Sequence, residues 1–450
     1  MIRYRAQWVV PIATPPIREG VVAVDGAHIA YVGSGDAGPA GEELQLGNAV
    51  LMPGLVNAHC HLELTVMRGF LEDLDFRRWI LRLTNARRAV LDRDALLDSA
   101  RYGLEEGVRA GVTTYADTCE SGVVVQAMRE AGVRGIVYQE VFGPDPARCA
   151  ESIAGLRELV AGLRYLETPL VRVGVSPHAP YTVSDELFRA TADLAREQRL
   201  PMAIHIAESE LEWALVVDGA GSFAEGLRRR GITVGPRGAS PIQLLARLGV
   251  LDTRPLLIHC VRIDGRDIES VAGSGSTIAH CPASNAKLGH GTAPIDEILA
   301  AGIPVGLGSD SVASNNRMDI VEEARLALLA QRTRMRSCET PEAVDVLEMA
   351  TIGGARALGL DTVVGTLEVG KQADLVAFSL EGSGPVQDPI AATVFSITGC
   401  RACFVTVSGK PLVRNGQLVA SRPGLADRMQ YLADALADWL ASGGEPRGVV

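Results

Sequence analysis

Short apolar runs alternate with longer amphipathic segments through most of this chain. Between most of the runs, apolar residues recur every three or four positions, as in 95–110 and 184–197, and a further such segment, 320–332, follows the last run. This spacing is typical of helices that pack on one face. Eight strand-and-helix units in series predict an α/β fold, a closed (β/α)8 TIM-like barrel with its helices outside. The eight apolar runs are 50–58, 112–117, 135–142, 170–176, 202–206, 256–260, 277–281 and 303–309.

The two ends of the chain have a different pattern. Residues 1–52 and 363–450 carry short β-branched runs separated by glycine, as in 20–26 and 402–410. Such runs predict antiparallel strands, and we expect one small β-sandwich domain built from both termini around a barrel over 53–362. Near the C-terminus, apolar residues spaced three or four apart predict an amphipathic helix: Met429, Leu432, Leu436 and Leu440.

Composition narrows the choice of partners. A net charge of −11 over 450 residues disfavours nucleic acid or an anionic membrane surface, because both require a basic face. No run of about 18 uncharged apolar residues is present, so we expect no membrane span. Eight scattered cysteines and an early charged N-terminal stretch are typical of a cytoplasmic protein. A small-molecule substrate is therefore the expected partner, and a homo-oligomer is compatible with this composition.

Histidines and an aspartate, which can bind metal or transfer protons, occur at or near the ends of the apolar runs. In a parallel barrel these ends meet at one mouth, where active sites are built. The first run ends in two histidines one residue apart, whose side chains point the same way on an extended backbone. Histidines at random positions would not gather at one end of the strands, so the pattern predicts a shared site. Its members are His59 and His61 after run one, His178 after run four, His205 in run five, His259 in run six, His280 in run seven and Asp310 after run eight.

A metal ion is the expected occupant of this site. His59, His61 and His205 offer three neutral nitrogen ligands and Asp310 a carboxylate, enough for a divalent ion with a position left for water. Such an ion lowers the pKa of its water toward about 7, which provides a nucleophile for hydrolysis. These ligands suit zinc and iron equally. We expect one ion per chain, because the three lysines lie outside the middle runs, where a modified lysine would bridge two metals.

Proton transfer is assigned to three residues at the same rim. Glu208 stands three positions after His205, so it can lean over the cavity without binding the metal and act as a proton shuttle. The ordinary alternative is a solvated glutamate at a helix start. His259 and Asp310 could jointly orient and deprotonate the attacking water. His280 could contact the metal ligands without binding the metal itself, or it could have a purely structural role.

With these residues in place, the chain resembles the amidohydrolase superfamily, in the branch of mononuclear aminohydrolases that deaminate purines. The resemblance implies the barrel with a small domain from both ends, His59, His61, His205 and Asp310 as metal ligands, and Glu208 as the group that protonates a ring nitrogen. The motifs that carry it are PGLVNAHCH at 53–61, SPHAPY at 176–181, HIAE at 205–208, HC at 259–260, HCP at 280–282, GSDS at 308–311 and GKQADL at 370–375.

The same resemblance suggests a substrate. His178 matches the histidine that contacts the base in this branch, which implies a purine nucleoside. The segments 61–65 and 76–79, the latter ending in Trp79, are most similar to aminodeoxyfutalosine deaminases of menaquinone biosynthesis, whose substrate is an adenine nucleoside with a carboxyphenyl arm. Deaminases of S-adenosylhomocysteine and methylthioadenosine have a ribose-binding glutamate where Arg88 stands here. These two nucleosides and adenosine remain alternatives, as does hydrolysis of a cyclic amide or a ring halide.

Three further polar residues are candidates for substrate contacts. Arg148, in the loop after run three, could pair with a substrate carboxylate, or it could be an ordinary surface arginine. Asn315 follows the last run and is a second candidate. Arg317 stands where relatives often have an aspartate, and it is either a carboxylate contact or a residue at the surface of a helix start.

Overall fold

Eight parallel strands form the body of the molecule in the computed structural model, which describes residues 1–35, 37–397 and 399–444. They alternate with helices, and further strands lie at both ends of the chain. The strands are β1 (Ile2–Val9), β2 (Ile17–Asp25), β3 (His28–Ser34), β4 (Glu42–Gln45), β5 (Ala49–Pro53), β6 (Leu55–Cys60), β7 (Val112–Cys119), β8 (Arg134–Val141), β9 (Val171–Pro177), β10 (Ala203–Ile206), β11 (Leu256–His259), β12 (Thr277–His280), β13 (Val305–Leu307), β14 (Leu375–Ser379), β15 (Ala402–Val407), β16 (Lys410–Arg414) and β17 (Gln417–Leu418).

Most helices follow the barrel strands in sequence. The helices are α1 (Phe76–Val90), α2 (Arg93–Arg109), α3 (Val123–Ala131), α4 (Cys149–Arg164), α5 (Asp185–Gln198), α6 (Glu210–Trp213), α7 (Gly221–Arg229), α8 (Pro241–Arg247), α9 (Gly265–Ser274), α10 (Pro282–Lys287), α11 (Ile295–Ala300), α12 (Val312–Asn315), α13 (Ile320–Met335), α14 (Ala343–Glu348), α15 (Gly354–Ala357), α16 (Pro389–Ser396) and α17 (Leu425–Ala441). Among the helices described, none is long and apolar enough to cross a membrane.

The barrel closes through two parallel seams. Strands β6 to β9 form one four-stranded sheet and β10 to β13 another. Bridges between Val175 and Met202, and between Cys60 and Asp310, join the two sheets at both edges. The chain therefore has the predicted eight-stranded parallel barrel, which abolishes exposed strand edges.

The first apolar run differs from its prediction, because 50–58 is two strands and not one. Strand β5 pairs with β1 and β14 of the terminal sheet, whereas β6 pairs with β7 of the barrel. Gly54 separates them, and a Cβ at this position would clash with the Thr113 side chain. The change of sheet thus occurs where only glycine permits such a close approach.

Both chain ends build the small domain, as predicted. Its strands form one continuous nine-stranded sheet in the order β17, β16, β15, β14, β5, β1, β2 and β3, with β4 paired to β1. The predicted terminal helix is α17, which buries Leu425, Met429, Leu432 and Leu436. It packs against α1 and α2. The helix patterns predicted over 95–110, 184–197 and 320–332 correspond to α2, α5 and α13.

A buried ion pair joins the small sheet to the barrel. Arg134, at the start of β8, donates from Nε and Nη2 to the two carboxylate oxygens of Asp374 at 2.8 and 3.1 Å. Both side chains are almost inaccessible, at 6% and 1% exposure. Asp374 also accepts the Ser408 N–H at 2.7 Å. This bidentate contact fixes the junction of the two domains.

Replacing Asp374 with alanine should lower the free energy of unfolding by about 3–5 kcal/mol, because the buried Arg134 guanidinium would lose its partner. Urea denaturation measures this loss. The control is Glu197→Ala, which removes the exposed partner of Arg157 and should cost less than about 1 kcal/mol. Equal losses in the two variants would contradict a special role for the junction.

Candidate active site

The barrel strands deliver four predicted site residues to one buried rim. His59 lies near the end of β6, His205 lies within β10, His259 ends β11 and Asp310 follows β13. All four are less than 7% exposed. The backbones of His259 and Asp310 have positive φ angles of 75° and 56°, and Ala207 has 52°. Such angles are uncommon for residues other than glycine and concentrate at functional sites.

The predicted ligand atoms converge. Nε2 of His61 lies 3.3 Å from Nε2 of His205. Oδ1 of Asp310 lies 3.2 Å from Nε2 of His59 and 3.5 Å from Nε2 of His61. Ring nitrogens of the three histidines lie within 4.8 Å of one another. Three imidazoles and a carboxylate aimed at one point fit a divalent cation.

The protonation states favour ligation. Burial lowers the pKa of His61 to about 3 and that of His205 well below its usual value, so both rings are neutral at pH 7 and keep a free lone pair. Burial alone would raise the pKa of Asp310, but contact with His59 and the other imidazoles holds it well below its usual range. Neutral histidines and an ionised aspartate are the forms that bind metal.

Neighbouring hydroxyl groups orient these ligands. Ser284 and Ser314 both donate to Oδ2 of Asp310, which leaves Oδ1 facing the histidines. On the other side, Thr118 Oγ1 lies 3.2 Å from Nδ1 of His61. The sequence reasoning did not identify these three residues. Groups of this kind fix the orientation and basicity of a ligand.

Glu208 is held at the edge of the cavity by its own backbone. Its side chain is buried, and its N–H and that of Ala207 donate to the Glu212 carboxylate at 2.8 and 2.9 Å. Burial would raise the pKa of Glu208, but the nearby His259 and His290 more than offset this effect and lower it. Glu208 is therefore a buried, ionised carboxylate, not a solvated helix-start residue.

Asn285 fixes the orientation of the His259 ring. Nδ1 of His259 lies 3.0 Å from Oδ1 of Asn285, an oxygen that can only accept, so Nδ1 carries a hydrogen. Its Nε2 lies 3.6 Å from Oε1 of Glu208. Nε2 of His259 therefore faces the Glu208 carboxylate at the cavity wall.

A cavity of about 230 Å³ opens above these residues. His178 and Trp79 line it, as expected of substrate contacts. His178 bonds to Thr182 through Nδ1 at 2.8 Å, and burial lowers its pKa to about 4. Helix α1 contributes much of the wall on one face: Phe76, Trp79, Ile80, Leu83, Thr84, Arg87 and Arg88.

Several other predicted residues lie elsewhere. Arg148 points to the surface and pairs with Glu151 at 2.9 Å, outside the cavity wall. Asn315 donates to Ser309 O and to Glu323. Arg317 pairs with Glu322 and Asp319. The structure therefore does not bring Arg148, Asn315 or Arg317 into contact with the cavity.

His280 stands behind the ligands. It is buried at the end of β12, burial lowers its pKa to about 3, and its Nδ1 has no hydrogen-bond partner among the residues described. It does not line the cavity. Within the described part of the chain, no side-chain hydrogen bond joins His280 to a candidate metal ligand.

Two residues that the sequence reasoning missed face the site. His290 lies 3.4 Å from Glu208. Glu140, at the end of β8, lines the cavity near His178 and His205, with which it forms a second group of possible metal ligands. Burial raises the pKa of Glu140 well above its usual value. The sequence does carry a signal for each residue. Glu140 is a charged residue within an apolar run, and His290 stands between two glycines.

Residues 50–412 match the model of the amidohydrolase family. The chain belongs to the amidohydrolase family. It is 34% identical over 417 residues to the 5-methylthioadenosine/S-adenosylhomocysteine deaminase of Moorella thermoacetica, covering 91% of this chain and 93% of that protein. It is 32% identical over 407 residues to the 5'-deoxyadenosine deaminase of Methanothermobacter thermautotrophicus, covering 89% of this chain and 91% of that protein.

Solved structures of this amidohydrolase's relatives show the same fold. An adenosine deaminase from Xanthomonas campestris with bound zinc superposes with a TM-score of 0.86 and 28% identity, covering 97% of this chain and 98% of that one. An atrazine chlorohydrolase from Arthrobacter aurescens complexed with zinc superposes with a TM-score of 0.82 and 26% identity. This match covers 97% of this chain and 100% of that one. The chain is therefore an aminohydrolase-type enzyme of a fold whose members bind zinc.

Removing one convergent imidazole should remove the metal. We expect His205→Ala to retain little divalent metal after gel filtration, because the remaining ligands no longer enclose the ion. Elemental analysis of the purified protein measures this. His28→Ala is the control, since His28 is an exposed residue at the start of β3, where it contacts Gln372. Full metal content in His205→Ala would contradict the ligand assignment.

Proposed function

We propose that this enzyme removes the ring amine of an adenine nucleoside by hydrolysis, releases ammonia, and uses one zinc or iron ion per chain. The observation that carries this proposal is the ionised, buried Glu208 beside the convergent ligand set, at the wall of a cavity that His178 and Trp79 also line. The names of the curated relatives, which are adenine nucleoside deaminases, support the same substrate class.

The reaction adds water to the ring carbon that bears the amine. When bound by His59, His61, His205 and Asp310, a divalent ion would lower the pKa of the attacking water. Glu208 accepts the first water proton and passes it to the adjacent ring nitrogen.

The second proton of the water is needed for the amine to leave as ammonia. Asp310 carries the second water proton to the amine, the carbon–nitrogen bond breaks, and ammonia leaves a ring with a carbonyl and an N–H. His259 accepts a hydrogen bond from the water through Nε2 and holds it in line with the ring. Positioned donors and acceptors of this kind stabilise the charge that develops in the transition state.

Aminodeoxyfutalosine is the leading substrate in this proposal. Arg88 lines the cavity at the end of α1, and Arg230 lines it just beyond α7. Neither guanidinium forms an ion pair with a residue in the described part of the chain, whereas Arg87 is paired with Glu63 at 3.0 Å. Two unpaired cations at the cavity wall support a substrate with an anionic arm.

A second candidate group comprises methylthioadenosine, S-adenosylhomocysteine and 5'-deoxyadenosine, which the names of the relatives favour. A different reaction class, hydrolysis of a ring halide, is favoured only by similarity to the atrazine chlorohydrolase. Ammonia release from a panel of these nucleosides and aminodeoxyfutalosine separates the candidates. Chloride release from a chlorotriazine, without ammonia from any aminopurine, would overturn the proposal.

Glu208→Gln should keep its metal but lose roughly 10²–10⁴ in kcat, because glutamine cannot carry the proton to the ring. Steady-state kinetics and elemental analysis together measure this. The matched control is Glu210→Gln, two residues away, where an exposed carboxylate pairs with Arg262. Turnover at the wild-type rate in Glu208→Gln would exclude its role as the proton shuttle.

Arg88→Met should weaken use of a substrate with a carboxylate arm about tenfold in kcat/KM, since a hydrogen bond to a charged group contributes roughly 1.5–3 kcal/mol before exposure to solvent reduces it. Use of 5'-deoxyadenosine, which has no charged arm, should be unchanged. Arg148→Met is the control, because Arg148 lies outside the cavity wall. If Arg148→Met gave the selective loss and Arg88→Met did not, the anionic arm would bind elsewhere.

A further inference from the structure

His290 is a buried imidazole that the proposed reaction does not use. It lies in the loop after α10, where its backbone N–H donates to the backbone carbonyl of Asn285 at 2.8 Å. Its side chain is only 4% exposed, and its Nε2 lies 3.4 Å from Oε1 of Glu208. Nε2 forms no hydrogen bond with the described residues, so its burial is costly unless it interacts with the Glu208 carboxylate within ion-pair distance.

Glu208 consequently lies between three polar side chains. Its Oε1 is 3.6 Å from Nε2 of His259 and 3.4 Å from Nε2 of His290. Its Oε2 accepts from the Tyr181 hydroxyl at 3.4 Å. Oε1 thus faces two imidazoles, whereas Oε2 faces the Tyr181 hydroxyl.

Helix α10 and the loop after it contact both groups that handle protons in the proposed reaction. Asn285 fixes the ring of His259 through Nδ1, and His290, five residues later, contacts Glu208. The backbone bond between Asn285 and His290 ties the two supports together. A shift of α10 together with this loop would therefore move both supports at once.

The other face of His290 contacts the helix that covers the cavity. The Phe76 ring stands edge-on to the imidazole, with centroids 4.5 Å apart and planes at 82°. Phe76 is the first residue of α1 and lines the cavity. His290 is thus enclosed between α1 and Glu208, so its position depends on where α1 begins.

We propose that His290 is a positioning residue that orients the Glu208 carboxylate for proton transfer and links that orientation to the first turn of α1. This inference rests on the proposed function, in which Glu208 is the proton shuttle. The competing explanation is that His290 only fills space beneath Phe76. The two explanations differ in what the side chain must provide: an N–H donor in the first and volume in the second.

The test compares two variants of opposite character. His290→Gln keeps an N–H donor, whereas His290→Leu keeps the packing and removes the donor. We expect kcat for the best nucleoside of the panel to fall roughly 10- to 100-fold in His290→Leu, the range for a misplaced reacting group. KM should change less than about threefold, and His290→Gln should recover most of the lost kcat.

Two further readouts separate positioning from packing. The acidic limb of the kcat/KM profile should move to higher pH in His290→Leu, because Glu208 loses a neighbour that lowers its pKa. In a Glu208→Gln background, His290→Leu should cause no further loss, since its effect passes through that carboxylate. Metal content should equal that of the wild type in every variant.

Several results would overturn the inference. Normal kcat in His290→Leu, a lower kcat in His290→Gln than in His290→Leu, or an undiminished further loss in the Glu208→Gln background would each show that His290 serves packing alone. If the wild-type enzyme releases no ammonia from any adenine nucleoside, the proposed function itself fails. That result is distinguishable, because it appears before any variant is compared.

Discussion

The site depends on how the barrel closes. Strands β6 and β13 meet where the His59 carbonyl accepts the Asp310 N–H at 2.9 Å. The Asn57 side chain spans the same seam, accepting the Ser309 N–H at 3.0 Å and donating to Ser309 Oγ at 2.7 Å. Residues 251 positions apart thus become adjacent candidate ligands through backbone pairing. Because the bonds that close the barrel also set the ligand geometry, folding and catalysis share one constraint.

Burial also determines the protonation states of the side chains at this rim. Removing water penalises every charged form, so the imidazoles of His61 and His178 are neutral, with pKa values of about 3 and 4. The carboxylates of Glu208 and Asp310 stay ionised despite burial, because they contact imidazoles. Desolvation therefore produces lone pairs for a metal and bases for proton transfer in the same volume. A divalent cation would complement the two ionised carboxylates at this rim.

The sequence predicted what the strand period controls and missed what irregular loops control. His59, His205 and Asp310 could be placed because the end of a parallel strand determines where its next side chain points. His290 and Arg148 could not, because the direction of a loop side chain depends on contacts distant in sequence. His290 turns inward against Phe76, whereas Arg148 turns outward to Glu151. The split of run 50–58 was missed for a related reason, since a strand that changes sheets keeps the same apolar pattern.

Helix α1 gives the two ends of the cavity different chemistry. Phe76, at its start, packs on His290 beside Glu208, and Arg88, near its end, lines the same cavity. A helix rises about 1.5 Å per residue, so these positions are about 18 Å apart along its axis. Between them the wall is mostly apolar, with Trp79 and Leu83. A nucleoside with its ring at Glu208 would extend its arm toward Arg88. On the proposed function, reactivity and selectivity are thus separated along one helix, and changes at its two ends should affect kcat and KM differently.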